Sequence, residues 1–483
     1  MNSKNPFELA ELRRRLSLFL SSTDAIACAQ VCKSWSDDFL LAIWHTIEES
    51  SHNQLGKLDE CIIAKHGHRI RVINGLTEGR LLDKLQNASV SKLRSLSMVM
   101  SNKSLFLAHC YDLIHRNVNS LTSLNFSIIL PIDLTLYFSV DCLSPFPYRG
   151  ATSSLTYLKI HGLCMTRNAF SRMLNICESL EHIDIQNTYL QSVIFTDKYQ
   201  HPRLTHLTAP VEQVFHADHV VNKPSILFHF PNLTHWETWQ STSLFEFDIN
   251  RCSMEIAQYC PHIKALYNLH GPGRFPLSKL LIYGLRNLTE ICVQPKQLSL
   301  EIIMSMLSHK NSLTTVRTIS SNDDFLQSND DFLQSNDDFL QSNSMQEVED
   351  HLANSGGPIQ FLPSQCLRLQ EFSLQSHEMD MDDVDRFSWM CQDLQVLHVR
   401  IKDLNTTDKI NTTLQMWVDG KRAKRGNNVN KETEQATQAT QYLNPSSVGY
   451  PKQQDAIEFR VARHLLRFKK LRTVWLGTKI WKA

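Results

Sequence analysis

"NAFSRMLNICESLEHIDI", residues 168 to 185, carries two periodicities back to back. Phe170, Met173, Leu174 and Cys177 recur at helical spacing and form one apolar stripe. Leu180, Ile183 and Ile185 follow, the last two in strict alternation, so the stretch predicts an amphipathic helix that turns directly into a short strand with one buried face. A single helix and strand cannot bury these faces alone. The rest of the chain must supply copies.

It does. The template apolar, two residues, apolar, one residue, apolar begins at Leu93, Leu121, Leu155, Leu180, Leu204, Leu233, Ile263, Leu288, Leu313, Leu369, Leu394 and Leu471. Counting a weaker copy at Ile70, first residues are 23 to 34 apart within the uninterrupted run, and 25 is the commonest interval. Cys177, Cys260, Cys366 and Cys391 each stand three residues before a template, so the register places them as small buried side chains at helix-to-strand corners. No C-x-x-C pair occurs, which leaves a zinc ribbon without ligands.

This pattern resembles the leucine-rich repeat, in which each unit supplies a strand and a helix. The expected fold is α/β: a solenoid with parallel strands on a concave face and helices on a convex face. The repeats are assigned to residues 93–318, 363–404 and 455–483, with a linker and first irregular repeats at 51–92.

Two longer intervals, 313 to 369 and 394 to 471, mark insertions. The first, residues 319–362, holds SNDDFLQ three times from Ser321 to Gln341. Phe and Leu at a period of seven allow a short helix, but six aspartates in twenty-one residues favour a disordered acidic loop. The second, residues 405–454, is rich in Lys, Asn, Thr and Gln and reads as a disordered polar insertion. Within it KRAKR, residues 421 to 425, is either a nuclear import signal or an ordinary solvated basic run.

At 483 residues the chain exceeds one ordinary core, in keeping with repeats. Its 49 basic and 49 acidic residues cancel, so no overall field favours nucleic acid or an anionic membrane. The start, MNSKNPFELAELRRR, lacks a signal-peptide core, and FSIILPIDLTLYFSV at 126 to 140 is broken by Pro131 and Asp133. A cytoplasmic protein with reduced cysteines is expected, with a nuclear alternative resting on KRAKR.

Residues 1–50 form a separate module. Leu9, Leu12, Leu16, Phe19 and Leu20 make one stripe; Thr23 or Asp24 supplies a cap; Ala27, Val31 and Trp35 continue a second helix, and Ile43 with Trp44 closes a third short segment. Val31, Cys32 and Trp35 fall on one side of a helix and form a compact apolar patch. Three helices in about 40 residues are barely self-sufficient, which implies a partner.

Leu9, Glu11, Leu12, Leu16, Leu20, Asp24, V-C-K-x-W at Val31 to Trp35, and Trp44 resemble the F-box, the adaptor-binding module of cullin-based ubiquitin ligases. Ala10 departs from the Leu-Pro with which the family usually starts. The resemblance implies a non-catalytic substrate receptor that binds a Skp-family adaptor on a cullin scaffold through Leu9, Leu12, Leu16, Leu20, Val31, Cys32, Trp35 and Trp44. For Leu16 and Val31, intramolecular packing and adaptor contact are both open. A repeat scaffold or inhibitor unconnected to ubiquitin is the alternative.

A protein target would meet the residues flanking the inner template positions: Tyr157, Lys159, His182, Asp184, His206, His235, Glu237, Trp239, Tyr267, His398, Arg400 and Trp475. Their plain alternative is ordinary solvated surface. No cofactor or metal is called for, and no phosphate-cradling loop, G-x-S-x-G, H-E-x-x-H or cysteine-nucleophile signature points to an enzyme.

Overall fold

The computed structural model describes residues 10–17, 19–48, 59–77, 80–100, 104–128, 139–144, 153–186, 188–191, 199–215, 225–239, 249–270, 277–319, 358–429, 456–477 and 479–482. The protein is α/β with mostly parallel sheet, and its chain divides into two compact units. One comprises Met1–Gln213 and Val220–Asn232, the other Val214–His219 and Leu233–Ala483.

In the first unit β1 (Thr46–Glu48), β2 (Val72–Leu76), β3 (Ser95–Met100), β4 (Ser123–Ile128), β5 (Tyr157–His161), β7 (His182–Asp184) and β9 (His206–Thr208) pair in parallel, each with the next. β6 (Cys164–Thr166) and β8 (Tyr189–Gln191) make a separate parallel pair. In the second unit β10 (His235–Trp239), β11 (Ala265–His270), β12 (Glu290–Val293), β13 (Thr315–Thr318), β14 (Glu371–Met379), β15 (Val396–Ile401) and β16 (Thr473–Leu476) follow the same rule. β17 (Lys479–Lys482) then turns back antiparallel on β16 through Gly477, whose φ of +59° suits a residue without a Cβ.

All twelve templates become strands, β3 to β5, β7 and β9 to β16, and the weaker copy at Ile70 leads into β2. The reason is burial on one face. Leu180, Ile183 and Ile185 are wholly buried, as are Phe170, Met173 and Leu174 on the preceding helix, Arg167–Ile176, and Cys177 at its C-cap. Thr166 starts that helix by accepting the Ala169 N–H at 3.1 Å. The corner thiols Cys177, Cys260, Cys366 and Cys391 are all buried, and burial pushes Cys177, Cys366 and Cys391 up to about 12, so none is a thiolate near neutrality.

Polar clips tie neighbouring repeats at these corners. Buried Asn117 accepts the Leu93 N–H at 2.9 Å and donates to the Val90 and Leu113 carbonyls. Buried His201 donates from Nε2 to the Cys177 carbonyl at 2.9 Å, while its Nδ1 accepts the Leu204 N–H at 3.1 Å. Both satisfy backbone groups that the helix-to-strand turn would otherwise leave without partners.

One insertion departs from expectation. Within 405–454, expected to be disordered, Thr407–Val429 is a helix that buries Ile410, Leu414, Trp417 and Val418 and packs on helix Ile457–Leu465. Those apolar residues at i, i+4, i+7 and i+8 outweigh the polar average of the segment. Gly420 lets the two helices approach, since a Cβ there would lie 2.8 Å from the side chain of Leu466, which caps the second. KRAKR therefore begins on an ordered helix, where Lys421 sits over the Trp417 ring at 5.0 Å and donates to the Leu471 carbonyl. The SNDDFLQ copies and residues 430–455 lie outside the described residues; Pro358–Gln365, by contrast, is helical.

Candidate functional site

The N-terminal module consists of α1 (Ala10–Ser17), α2 (Ser22–Ala29) and α3 (Lys33–His45). α2 is capped by Ser21, one turn earlier than Thr23 or Asp24: its Oγ accepts the Asp24 N–H at 3.2 Å and bonds the Asp24 carboxylate at 2.6 Å. Val31 and Cys32 do not continue a helix. They form the turn between α2 and α3, with Cys32 in extended conformation at the α3 N-cap position. The hydrogen bond between Cys32 and Ser34 holds this exposed thiol below its ordinary range.

α1 is packed inside out. Its buried side chains are Arg13 and Ser17, whereas Leu12 and Leu16 face solvent. Asp38 of α3, itself buried, explains the orientation: it receives Arg13 at 2.7 Å and Arg14 at 3.0 Å. A buried carboxylate demands a cation and fixes the helix that carries it. Beside Leu12 and Leu16 on the surface of the module are Phe19, 85% exposed, Ile26, Val31, 64% exposed, and Leu41. Leu20 and Trp35 are half-buried, with the Trp35 ring 5.6 Å from that of buried Phe39. Leu9 lies outside the described residues.

Trp44 corrects the expected contact set. It is buried and stacks on His66 at 4.8 Å, because α3 runs straight into β1, which pairs with β2. The third helix thus serves as the helix of the first strand, and Trp44 anchors it inward instead of facing a partner.

The second surface is the open face of the sheet. In the first unit Ser95, Ser123, Tyr157, His182 and His206 stand in register, beside a second row of Ser97, Asn125, Lys159, Asp184 and Thr208. Strand spacing of about 4.8 Å brings row neighbours into contact. Tyr157 and His182 rings lie 4.8 Å apart, and His182 and His206 stack at 5.4 Å with 4° between planes. Lys159 binds Asp184 at 3.1 Å; burial pushes the Asp184 carboxyl up against the opposing pull of that ammonium.

In the second unit Glu237, Tyr267, Cys292, Arg317, Ser373, His398 and Trp475 form one row. His398 is buried against Trp475 with rings 4.5 Å apart, Tyr267 is half-buried and Arg400 is exposed. Burial holds the half-buried His235 below its ordinary range. The Trp239 side chain lies outside the described residues. Sequence reading missed Arg317, which binds Glu371 with two 2.7 Å contacts and Glu290 at 3.0 Å. Its signal was present: Glu290, Arg317 and Glu371 occupy template positions flanking inner apolar residues on three successive template strands.

Among the described residues no group of three or more His, Cys, Asp and Glu side chains is arranged to hold a metal ion, and no helix is long and apolar enough to cross a membrane. Chemically, both surfaces offer rings, paired charges and exposed apolar area. No known family model matches this sequence, and no curated protein matches it.

Proposed function

We propose that this chain is a non-catalytic substrate receptor of a cullin-type ubiquitin ligase, an F-box module followed by a leucine-rich-repeat solenoid. In this reading α1 to α3 bind a Skp-family adaptor through Leu12, Leu16, Leu20, Val31, Cys32 and Trp35, and the open sheet face receives a protein target. The observation that carries it is the outward apolar surface of the three-helix module, held out by the buried Arg13–Asp38 pair. Apolar area turned to solvent by a specific ion pair is the signature of an interface awaiting its second half. Strand order and the repeat register support the solenoid half of the reading.

The test is co-purification with a Skp-family adaptor. Leu16→Asp with Val31→Asp changes only exposed side chains, so the chain should keep its thermal unfolding profile while adaptor capture is lost. Capture undiminished by the double variant would overturn the adaptor reading and favour a scaffold unconnected to ubiquitin.

A further inference from the structure

Across five successive strands of the second unit the open sheet face alternates in character. Glu237 stands on β10, Tyr267 on β11, Glu290 on β12, Arg317 on β13 and Glu371 on β14. Register fixes their neighbourhood: Glu237 lies directly opposite Tyr267, Glu290 opposite Ala265 two residues before Tyr267, and Glu371 opposite Thr315 two residues before Arg317. With strands about 4.8 Å apart, the three acids recur about every 10 Å across the sheet. All five residues are half-buried, so each keeps part of its surface in solvent.

The space between the second and third acids is filled by the protein itself. Arg317 gives Nε and one terminal nitrogen to the two Glu371 oxygens, each at 2.7 Å, and its other terminal nitrogen to Glu290 at 3.0 Å. Between the first and second acids stands a ring instead, Tyr267, whose hydroxyl bonds Glu290. All four charges reach one buried thiol. Burial pushes Cys292 up to about 12; Arg317 opposes that shift, and Glu290, Glu237 and Glu371 add to it.

Charge is therefore unbalanced on this face. Among the described residues of its two rows, three carboxylates meet one guanidinium, and His235, held below its ordinary range by burial, adds no charge near neutrality. Farther along β14 and β15, Glu378 and Arg400 stand opposite each other and cancel. The exposed Lys264 and Arg472 sit one residue before β11 and β16, outside the rows. On β3 to β9 of the first unit, by contrast, the rows carry one ammonium and one carboxylate, Lys159 and Asp184, bound to each other at 3.1 Å. A surplus of carboxylate repels nucleic acid and anionic membranes and attracts a cationic chain. We propose that the open sheet face of the second unit docks a basic segment of the target protein, with an arginine or lysine side chain over the Tyr267 ring between Glu237 and Glu290, as Arg317 lies between Glu290 and Glu371. This rests on the reading of the sheet face as the target surface and adds the charge of the target to it. The incoming cation gains from the ring face and from charge-assisted hydrogen bonds to the acids on either side. Arg317 holds Glu290 and Glu371 in place and, by neutralising them in part, limits how tightly the segment binds.

The experiment follows by anisotropy the binding of a fluorescent synthetic peptide, GSRGSRGSRGSR, to the intact full-length chain, with GSQGSQGSQGSQ and GSEGSEGSEGSE beside it. The arginine peptide should bind, more weakly as salt rises, and the other two should not. Glu237→Gln should weaken its binding about fivefold, the worth of one partly exposed ion pair. Arg317→Gln should act the other way and tighten binding about fivefold, because two carboxylates lose their internal cation; a gain of this kind does not come from a chain that fails to fold. Comparable binding of all three peptides, no change on Glu237→Gln, or weaker binding by the Arg317→Gln chain overturns the proposal. Adaptor capture by the same preparations separates it from the ligase reading. Capture without arginine-peptide binding overturns the basic-target inference alone, and peptide binding without capture overturns the ligase reading while the charge preference of the face stands.

Discussion

The repeats and the N-terminal module solve opposite problems with the same kinds of residue. In the repeats every template leucine goes inside, and two of the polar residues buried with them, Asn117 and His201, clip backbone groups. In the module, the leucines of α1 go outside and a charged pair, Arg13 and Asp38, goes in. The difference teaches that periodicity reveals which residues share a face but leaves open which face is turned to the core. Repetition settles that in the repeats, because each strand must match the one before. α1 has no such neighbour, and one long-range ion pair decides it.

The sharpest way to break the contrast is to remove the pair. Asp38→Ala leaves Arg13 buried without a counter-charge, and the expected loss is about 3–5 kcal/mol, read by chemical denaturation of the full chain. A loss under 1 kcal/mol would mean that the orientation of α1 is set elsewhere. Next in size, Leu180→Ala in the repeats should cost about 2–5 kcal/mol, whereas Leu16→Ala in the module, the same change on a solvent-facing side chain, should stay within about 0.5 kcal/mol. Equal costs would erase the distinction.

Acid should also separate regions. His464, buried on helix Ile457–Leu465 between Trp389 and Phe468, is held down to about 4 by burial, from an ordinary value near 6.5. Its folded value is below its unfolded one, so the unfolded chain takes up the extra proton between them. Stability from keeping it neutral is complete above about pH 6.5 and declines as pH falls toward 4, by about 3 kcal/mol in all. His464→Phe should flatten that part of the stability profile measured by pH-resolved denaturation, and an unchanged slope would sink the assignment. A more local effect is expected at the clips: Asn117→Ala leaves the Leu93 N–H without its acceptor and should cost about 1–3 kcal/mol, seen as faster amide exchange at Leu93.

Legibility in the sequence followed the same division. The twelve strands could be read because Leu, Ile and Val recur at fixed offsets, and corner cysteines marked where helices end. The helix at Thr407–Val429 escaped because its anchors Ile410, Leu414 and Trp417 are diluted by Lys, Asn and Thr on the other face. Cys32 was read as helical since its spacing to Trp35 fits a helix; only the extended backbone at that position reveals a break. The outward stripe Leu12 and Leu16 was named, yet its direction depended on Asp38, twenty-five residues from Arg13. On the sheet face the histidine row was visible, while the Arg317 bridge needed the strand register that brings Glu290 and Glu371 to either side.

β17 gives the second unit a terminus of unusual kind. A ladder of parallel strands ends in a row of unsatisfied amides and carbonyls, an adhesive rim onto which another molecule's first strand could be added without limit. By reversing direction at Gly477 and laying Lys479 to Lys482 along β16, the chain fills that rim with its own backbone and sets the exposed Lys479 on the new border. Addition of a further parallel strand to β16 is thereby pre-empted, and shortening the chain to Leu476 should raise its tendency to associate, read by light scattering.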